Sequence, residues 1–220
     1  MHVFHFVNQN KTHITIILWN MDIVAVCGLT YSDFVINRMA EIKRADLLVL
    51  SFGAVGTVDF RNEIKNSDGI FVDLCTLSDD LSCTVLCGAD TDVYGIKHKS
   101  VIVADKGQLI DVSDAVNAPK GYQGGVTYRS YETSAGKIGV IVDGDIMYTD
   151  SVKAAAEGKA ELIVGISDCA IDNKLILACR AAALYNSVPV LLSAKNYSLL
   201  TDSEGSIKQA CALSVNEISF

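Results

Sequence analysis

Clustered basic charge is missing from this sequence: acidic residues outnumber basic ones, and the formal net charge is −8. No nucleic-acid partner is expected, because phosphate binding needs grouped Lys and Arg. The seven cysteines, at positions 27, 75, 83, 87, 169, 179 and 211, include no CxxC pair, and no metal-ligand spacing occurs, so neither a metal nor another cofactor is expected. Most of them sit inside apolar runs, as reduced core cysteines do, so a disulfide framework is not expected and the cytoplasm is the expected location. A bilayer span is lacking too. Ile14 to Leu29 is apolar, but Asn20 and Asp22 interrupt it, and it has neither the length of a span nor the basic start and cleavage site of a signal peptide. No membrane partner is expected. No linker, charge block or low-complexity segment divides the chain. What remains is 220 residues, 50% apolar and 20% charged, enough for one α/β domain with a sizeable core.

The most informative stretch runs from Gly136 to Asn196. Ile138 to Val142 is a β-branched run behind two glycines, too short for a buried helix. Asp150 to Ala160 is Ala-rich and helix-forming, with Gly158 as its stop. Leu162 to Ile166 reads as a buried strand leaving through the polar pair Ser167-Asp168. From Asn173 to Tyr185 the apolar residues fall at helical spacing, and Val188 to Leu192 is the next strand. Strands separated by helices of this length imply a layered α/β fold whose ligand sites gather at strand ends. Elsewhere, Tyr31 to Arg44 reads as a helix capped by Ser32 or Asp33, Ala45 to Leu50 as a strand, Phe71 to Leu81 as a helix and Thr84 to Ala89 as a strand. Ser100 to Val103 and Gln108 to Val112 form a hairpin around Asp105-Lys106-Gly107, and Tyr128 to Glu132 is a strand pairing toward Lys137. His98, between two lysines, reads as solvent-facing in a loop. Residues 1–20 alternate weakly and suit an extra strand or hairpin.

Three motifs stand in order in this chain. They are Gly136-Lys137-Ile138-Gly139-Val140-Ile141-Val142-Asp143-Gly144-Asp145, then Ala160-Glu161-Leu162-Ile163-Val164-Gly165-Ile166-Ser167, then Arg180-Ala181-Ala182-Ala183-Leu184-Tyr185-Asn186 before a strand. This framework resembles the nitrilase, or carbon–nitrogen hydrolase, superfamily across roughly residues 22–209. The resemblance implies a single-domain α-β-β-α sandwich over residues 21–220, with residues 1–20 an N-terminal extension and either Met1 or Met21 the functional start. It also implies a homodimer paired through helices near the strand that carries the nucleophile.

The family's Glu-Lys-Cys triad is where this chain departs from it. The nucleophile position holds Asp143, the general-base position after Leu47-Leu48-Val49-Leu50 holds Phe52, and counting from Gly107 places Ala115 at the lysine. Hydrolysis by this fold needs a thiolate, a proton-moving carboxylate and a cation beside the developing oxyanion, and none stands at its matched place. The expected function is therefore a non-catalytic homologue that binds a small molecule or a protein. Two alternatives stay open: an active amide or nitrile hydrolase with relocated residues, Cys169 or Asp143 central, and a structural subunit whose site is plugged, with Phe52 filling part of it. The candidate pocket comprises Asp143, Asp145, Ser167, Asp168, Cys169 and Lys120, the last as a substitute cation from a remodelled loop. Asp143, Asp145 and Asp150 are also of the type that hard cations take. Since the family carries an Asp at the position of Asp145 without a metal, Asp145 reads as structural, as does Arg180.

Overall fold

Central strands buried on both faces build two sheets that share one interior. The computed structural model describes residues 13–18, 21–42, 44–65 and 69–212. The first sheet is ordered β1 (His13–Leu18), β2 (Met21–Val26), β3 (Leu47–Leu50), β5 (Thr84–Val93), β6 (Ile96–Asp105) and β7 (Gln108–Asp114), with β4 (Thr57–Asp59) pairing β5 off this path. The second runs β13 (Ile207–Ala212), β12 (Tyr197–Thr201), β11 (Val190–Ala194), β10 (Leu162–Ile166), β9 (Gly136–Val142) and β8 (Arg129–Thr133). In each sheet three central strands are parallel: β2, β3 and β5 in one, β9, β10 and β11 in the other. Their flanking neighbours β1, β6 and β7, and β8, β12 and β13, add antiparallel hairpins.

Residues at even spacing separate into layers, as the pleat requires. Leu47 and Val49 of β3 face Ile138, Val140 and Val142 of β9 and Leu162, Val164 and Ile166 of β10 between the sheets. Leu48 and Leu50 turn outward onto Phe34, Leu74 and Leu77, from α1 (Tyr31–Asn37) and α3 (Ile70–Asp80). On the far side Ile141 and Ile163 meet Val152, Ala155, Leu175 and Cys179, from α4 (Thr149–Glu157) and α5 (Asn173–Asn186). Gly139 is required there: a Cβ on it would come within 2.8 Å of the Ala155 Cβ. This is an α-β-β-α sandwich in a single domain.

Several boundaries differ from expectation. α1 stops at Asn37 and a 3-10 turn, Met39–Glu41, follows; its cap is Thr30, whose hydroxyl accepts from the Asp33 amide, rather than Ser32 or Asp33. Phe34 is the one fully buried anchor of α1, and β-branched Val35 and Ile36 add little helix propensity, so two turns are all the packing supports. His98 lies in β6, not in a loop, because the β5–β6 hairpin pairs out to Val93 and Ile96; its Nδ1 is 3.3 Å from Asp114 Oδ2. A short helix α2 (Phe60–Lys65) and the strand β4 lie between β3 and α3, where no element is assigned from the sequence. Of the N-terminal segment, residues 13–18 form β1 against β2, and residues 1–12 lie outside the described ones. Among the described residues no helix is long and apolar enough to cross a membrane.

Candidate functional site

The carboxyl ends of the parallel strands of both sheets open toward the same end of the sandwich. β3 leaves through Ser51-Phe52, β9 through Asp143 and β10 through Ser167-Asp168. β6 enters there in the opposite direction, and its register sets Lys99 beside Asp90 of β5. Lys99 has the parity of Val101 and Val103, both of which point between the sheets. Its side chain is therefore carried into the interior by the pleat of β6.

Lys99 is the centre of the arrangement. Its Nζ is 2.7 Å from Asp90 Oδ1 and donates to Asp168 Oδ2 at 2.8 Å. The Phe52 and Tyr122 ring centroids lie 5.1 and 5.0 Å from the same nitrogen. Burial alone works to depress the ammonium's pKa, but the hydrogen bonds and charges of Asp168 and Asp90 override it and leave the pKa raised. An unpaired buried ammonium would cost several kcal/mol. Two carboxylates and two ring faces, each ring contributing about 0.5–2 kcal/mol, offset that cost. The sequence reasoning missed Lys99. The signal was its place two and four residues before Val101 and Val103, on their face of a strand.

Phe52 is 3% exposed and belongs to the inter-sheet core with Ala115, Val142 and Ile166. Its ring takes the space beside Gly88, where a Cβ would come within 2.9 Å of Phe52 Cδ2 and 2.8 Å of Ile166 Cγ2. Ala115 is buried in that core and its backbone is paired: its N–H donates to Lys99 O and its carbonyl accepts from the Gly125 N–H, both at 2.8 Å. Lys120 is exposed on the loop surface, whereas Lys99 of the strand is buried beside Asp168. Counting along the chain from Gly107 missed it because Lys99 precedes that turn.

Asp143 is 7% exposed and has φ +50°, the left-handed region that Asp tolerates better than most residues. Its Oδ1 accepts from the Asp168 N–H at 3.0 Å and the Ser167 hydroxyl at 3.4 Å. Asp145 is structural: Oδ2 accepts from the Val116 N–H at 2.7 Å, and Oδ1 from the Asn117 N–H at 2.8 Å and Asn117 Nδ2 at 2.9 Å. Cys169 is exposed and its N–H donates to Ser167 Oγ at 3.2 Å. Arg180 Nε donates to the Gly205 carbonyl at 2.9 Å, holding α5 to the β12–β13 turn. Among the described residues no group of three or more His, Cys, Asp or Glu side chains suits a metal ion.

This architecture is the fold of the nitrilase superfamily. The chain is similar to the Nesterenkonia sp. amidase, with a TM-score of 0.72 at 15% identity over 88% of this chain and 87% of that one. It is likewise similar to Saccharomyces cerevisiae Nit3, a member of branch 10 of the nitrilase superfamily, with a TM-score of 0.67 at 18% identity over 83% of this chain and 78% of that one. A carbon–nitrogen hydrolase from Helicobacter pylori G27 gives a TM-score of 0.66 at 15% identity, over 82% and 78% of the two chains. No protein-family model matches the chain, and no curated protein matches it in sequence.

Proposed function

We propose that this protein is a non-catalytic relative of the carbon–nitrogen hydrolases, a structural or protein-binding subunit whose former active site is filled by its own side chains. The observation that carries the reading is the state of Lys99, an ammonium neutralised by Asp90 and Asp168 and covered by Phe52 and Tyr122. A cation so committed is not free to stabilise a developing oxyanion. Phe52 accepts no proton, and Oδ1 of the Asp143 carboxylate accepts from the Asp168 amide and the Ser167 hydroxyl. A mutant of the Nesterenkonia sp. AN1 amidase shows covalent addition of the acetamide moiety of fluoroacetamide at its active-site cysteine. A carboxylate in place of that thiolate is a far weaker nucleophile toward an amide, and nucleophile, base and cation act as a unit. The small-molecule-binding reading is weaker, because buried Phe52 and Lys99 take up the room a ligand would need.

The reading includes a cytoplasmic homodimer paired through the α4–α5 face. Supporting it, Met147, Tyr148, Leu177, Leu184 and Tyr185 expose apolar surface on that side, Tyr185 at 80%. A broad panel of amides, nitriles and carbamoyl compounds, run with wild type and Cys169→Ala, tests the non-catalytic claim. No turnover above background is expected. Turnover lost in Cys169→Ala would show a relocated nucleophile, and turnover that survives it but disappears in Asp143→Ala would show a working carboxylate.

A further inference from the structure

The surroundings of the Lys99 nitrogen have the chemistry of a receptor for an organic cation. Carboxylate oxygens of Asp90 and Asp168 lie at 2.7 and 2.8 Å, and two aromatic rings, Phe52 and Tyr122, face it at 5.1 and 5.0 Å. We propose that the site of this protein is a primary-ammonium cage occupied in cis by Lys99 and covered by the loop of residues 117–125. This deepens the non-catalytic reading of the same site and rests on it.

The donor pattern sets the ligand class. A primary ammonium has three N–H donors: one is donated to Asp168 Oδ2, and Asp90 Oδ1 lies 2.7 Å from the nitrogen as its ion-pair partner. A quaternary ammonium of similar charge has none and would leave both carboxylates unsatisfied. A neutral alcohol gains nothing from two ring faces. The cover is Tyr122, whose N–H donates to Pro119 O at 3.1 Å. Just after it the Gln123 N–H donates to Lys97 O at 2.7 Å and the Gly125 N–H to Ala115 O at 2.8 Å, which fastens the loop over the start of β6. Lys195, 3.7 Å from Asp168 Oδ1, is an exposed second cation at the rim and marks the accessible edge of the cage.

Replacing Lys99 by Ala removes the atoms from Cγ to Nζ, the outline of n-propylammonium, and so vacates the cage. Lys99→Ala should lower Tm by about 6–12 °C. Millimolar n-propylammonium chloride should recover most of that loss, whereas 1-propanol and tetramethylammonium chloride at equal concentration and ionic strength should not. Wild type should respond to none of them. Equal recovery by all three, or an equal response of wild type, would overturn the cage. Should Lys99→Ala not fold, acetylation of wild type by an N-hydroxysuccinimide ester, read by peptide mass, provides the second measurement. Lys99 should react at least about tenfold more slowly than Lys195, and Tyr122→Ala should close that gap. Lys99 reacting at the rate of Lys195 in folded wild type, or protection unchanged in Tyr122→Ala, would contradict the covered cage. Turnover by wild type would remove the non-catalytic reading, whereas absence of selective rescue in a turnover-free protein would remove the cage alone.

Discussion

Lys99 Nζ lies 2.8 Å from Asp168 Oδ2, an ion pair that reaches from one sheet to the other. Lys99 belongs to β6 of the first, and Asp168 to the exit of β10 in the second. The Asp168 backbone N–H reaches on to Asp143 Oδ1, so the ion pair also bears on the placing of that carboxylate.

Asp168→Asn should therefore destabilise the protein. The amide keeps the shape but loses the charge, leaving Lys99 to Asp90 alone. Asp168 is partly exposed, which moderates the loss to about 1–3 kcal/mol. Urea unfolding with an unchanged m-value measures it. A variant as stable as wild type would show that the bridge contributes nothing.

Gly88→Ala tests how tightly Phe52 is packed. The added methyl would meet Phe52 Cδ2 and Ile166 Cγ2 at under 3 Å, an overpacking that costs about 1–3 kcal/mol. Phe52→Leu in the same chain should give back a good part of that, a coupling that two independent sites would not show. Strict additivity of the two substitutions would place the ring elsewhere.

Alkaline pH should weaken the fold. Burial pushes the Cys27 thiol up to about 11, against a partial lowering by the Ser198 hydroxyl and a further rise from Cys211. Burial alone pushes Cys87 and Cys179 up to about 12. These groups keep their protons in the folded state where the unfolded chain, with an ordinary value of 9.0, has lost them. Their contribution is complete below the unfolded value and disappears as pH rises through the folded one, and the raised Lys99 has the same sign. The urea midpoint should fall steadily from about pH 9 to about pH 11. A flat or rising midpoint would contradict the assigned burial. A thiol reagent at neutral pH should react first with exposed Cys169.

The apolar face of α4 and α5 should carry a dimer. Leu177→Glu combined with Tyr185→Glu places charges on that face without touching the core, since both side chains are exposed. Light scattering should find a dimer for wild type and a monomer for the variant. A wild-type monomer, or a variant that stays dimeric, would move the interface or remove it.

Much of the fold was legible because its strands are β-branched runs of near-ideal length. Ile138 to Val142 and Leu162 to Ile166 have no comparable helical alternative, and Gly158 and the Asp105-Lys106-Gly107 turn punctuate their neighbourhoods. α1 was overextended because Met39 and Ile42 keep helical spacing after the chain has left the helix; spacing reports a face, not the packing that sustains it. Phe52 was visible as an aromatic residue where the resemblance implied a carboxylate. Lys99 was hidden by its neighbours, since Lys97-His98-Lys99 looks like a solvated charge run until strand parity is followed back from Val103. The approach of Tyr122 and the left-handed backbone at Asp143 are tertiary facts that no local pattern carries.

The central claim is that side chains of the protein itself fill the site, and alkylation of a thiol placed at its heart tests that most directly. Asp143→Cys, made in a Cys169→Ala background, puts a sulfhydryl at the exit of β9, beside Ser167 and Asp168. The folded protein is treated with acrylamide, and modification at position 143 is followed by peptide mass. With Phe52 and Lys99 occupying the approach, labelling at that position should be slow and should accelerate on unfolding in urea. Rapid labelling of the folded variant, at the rate of an exposed thiol, would show an open site and contradict the account.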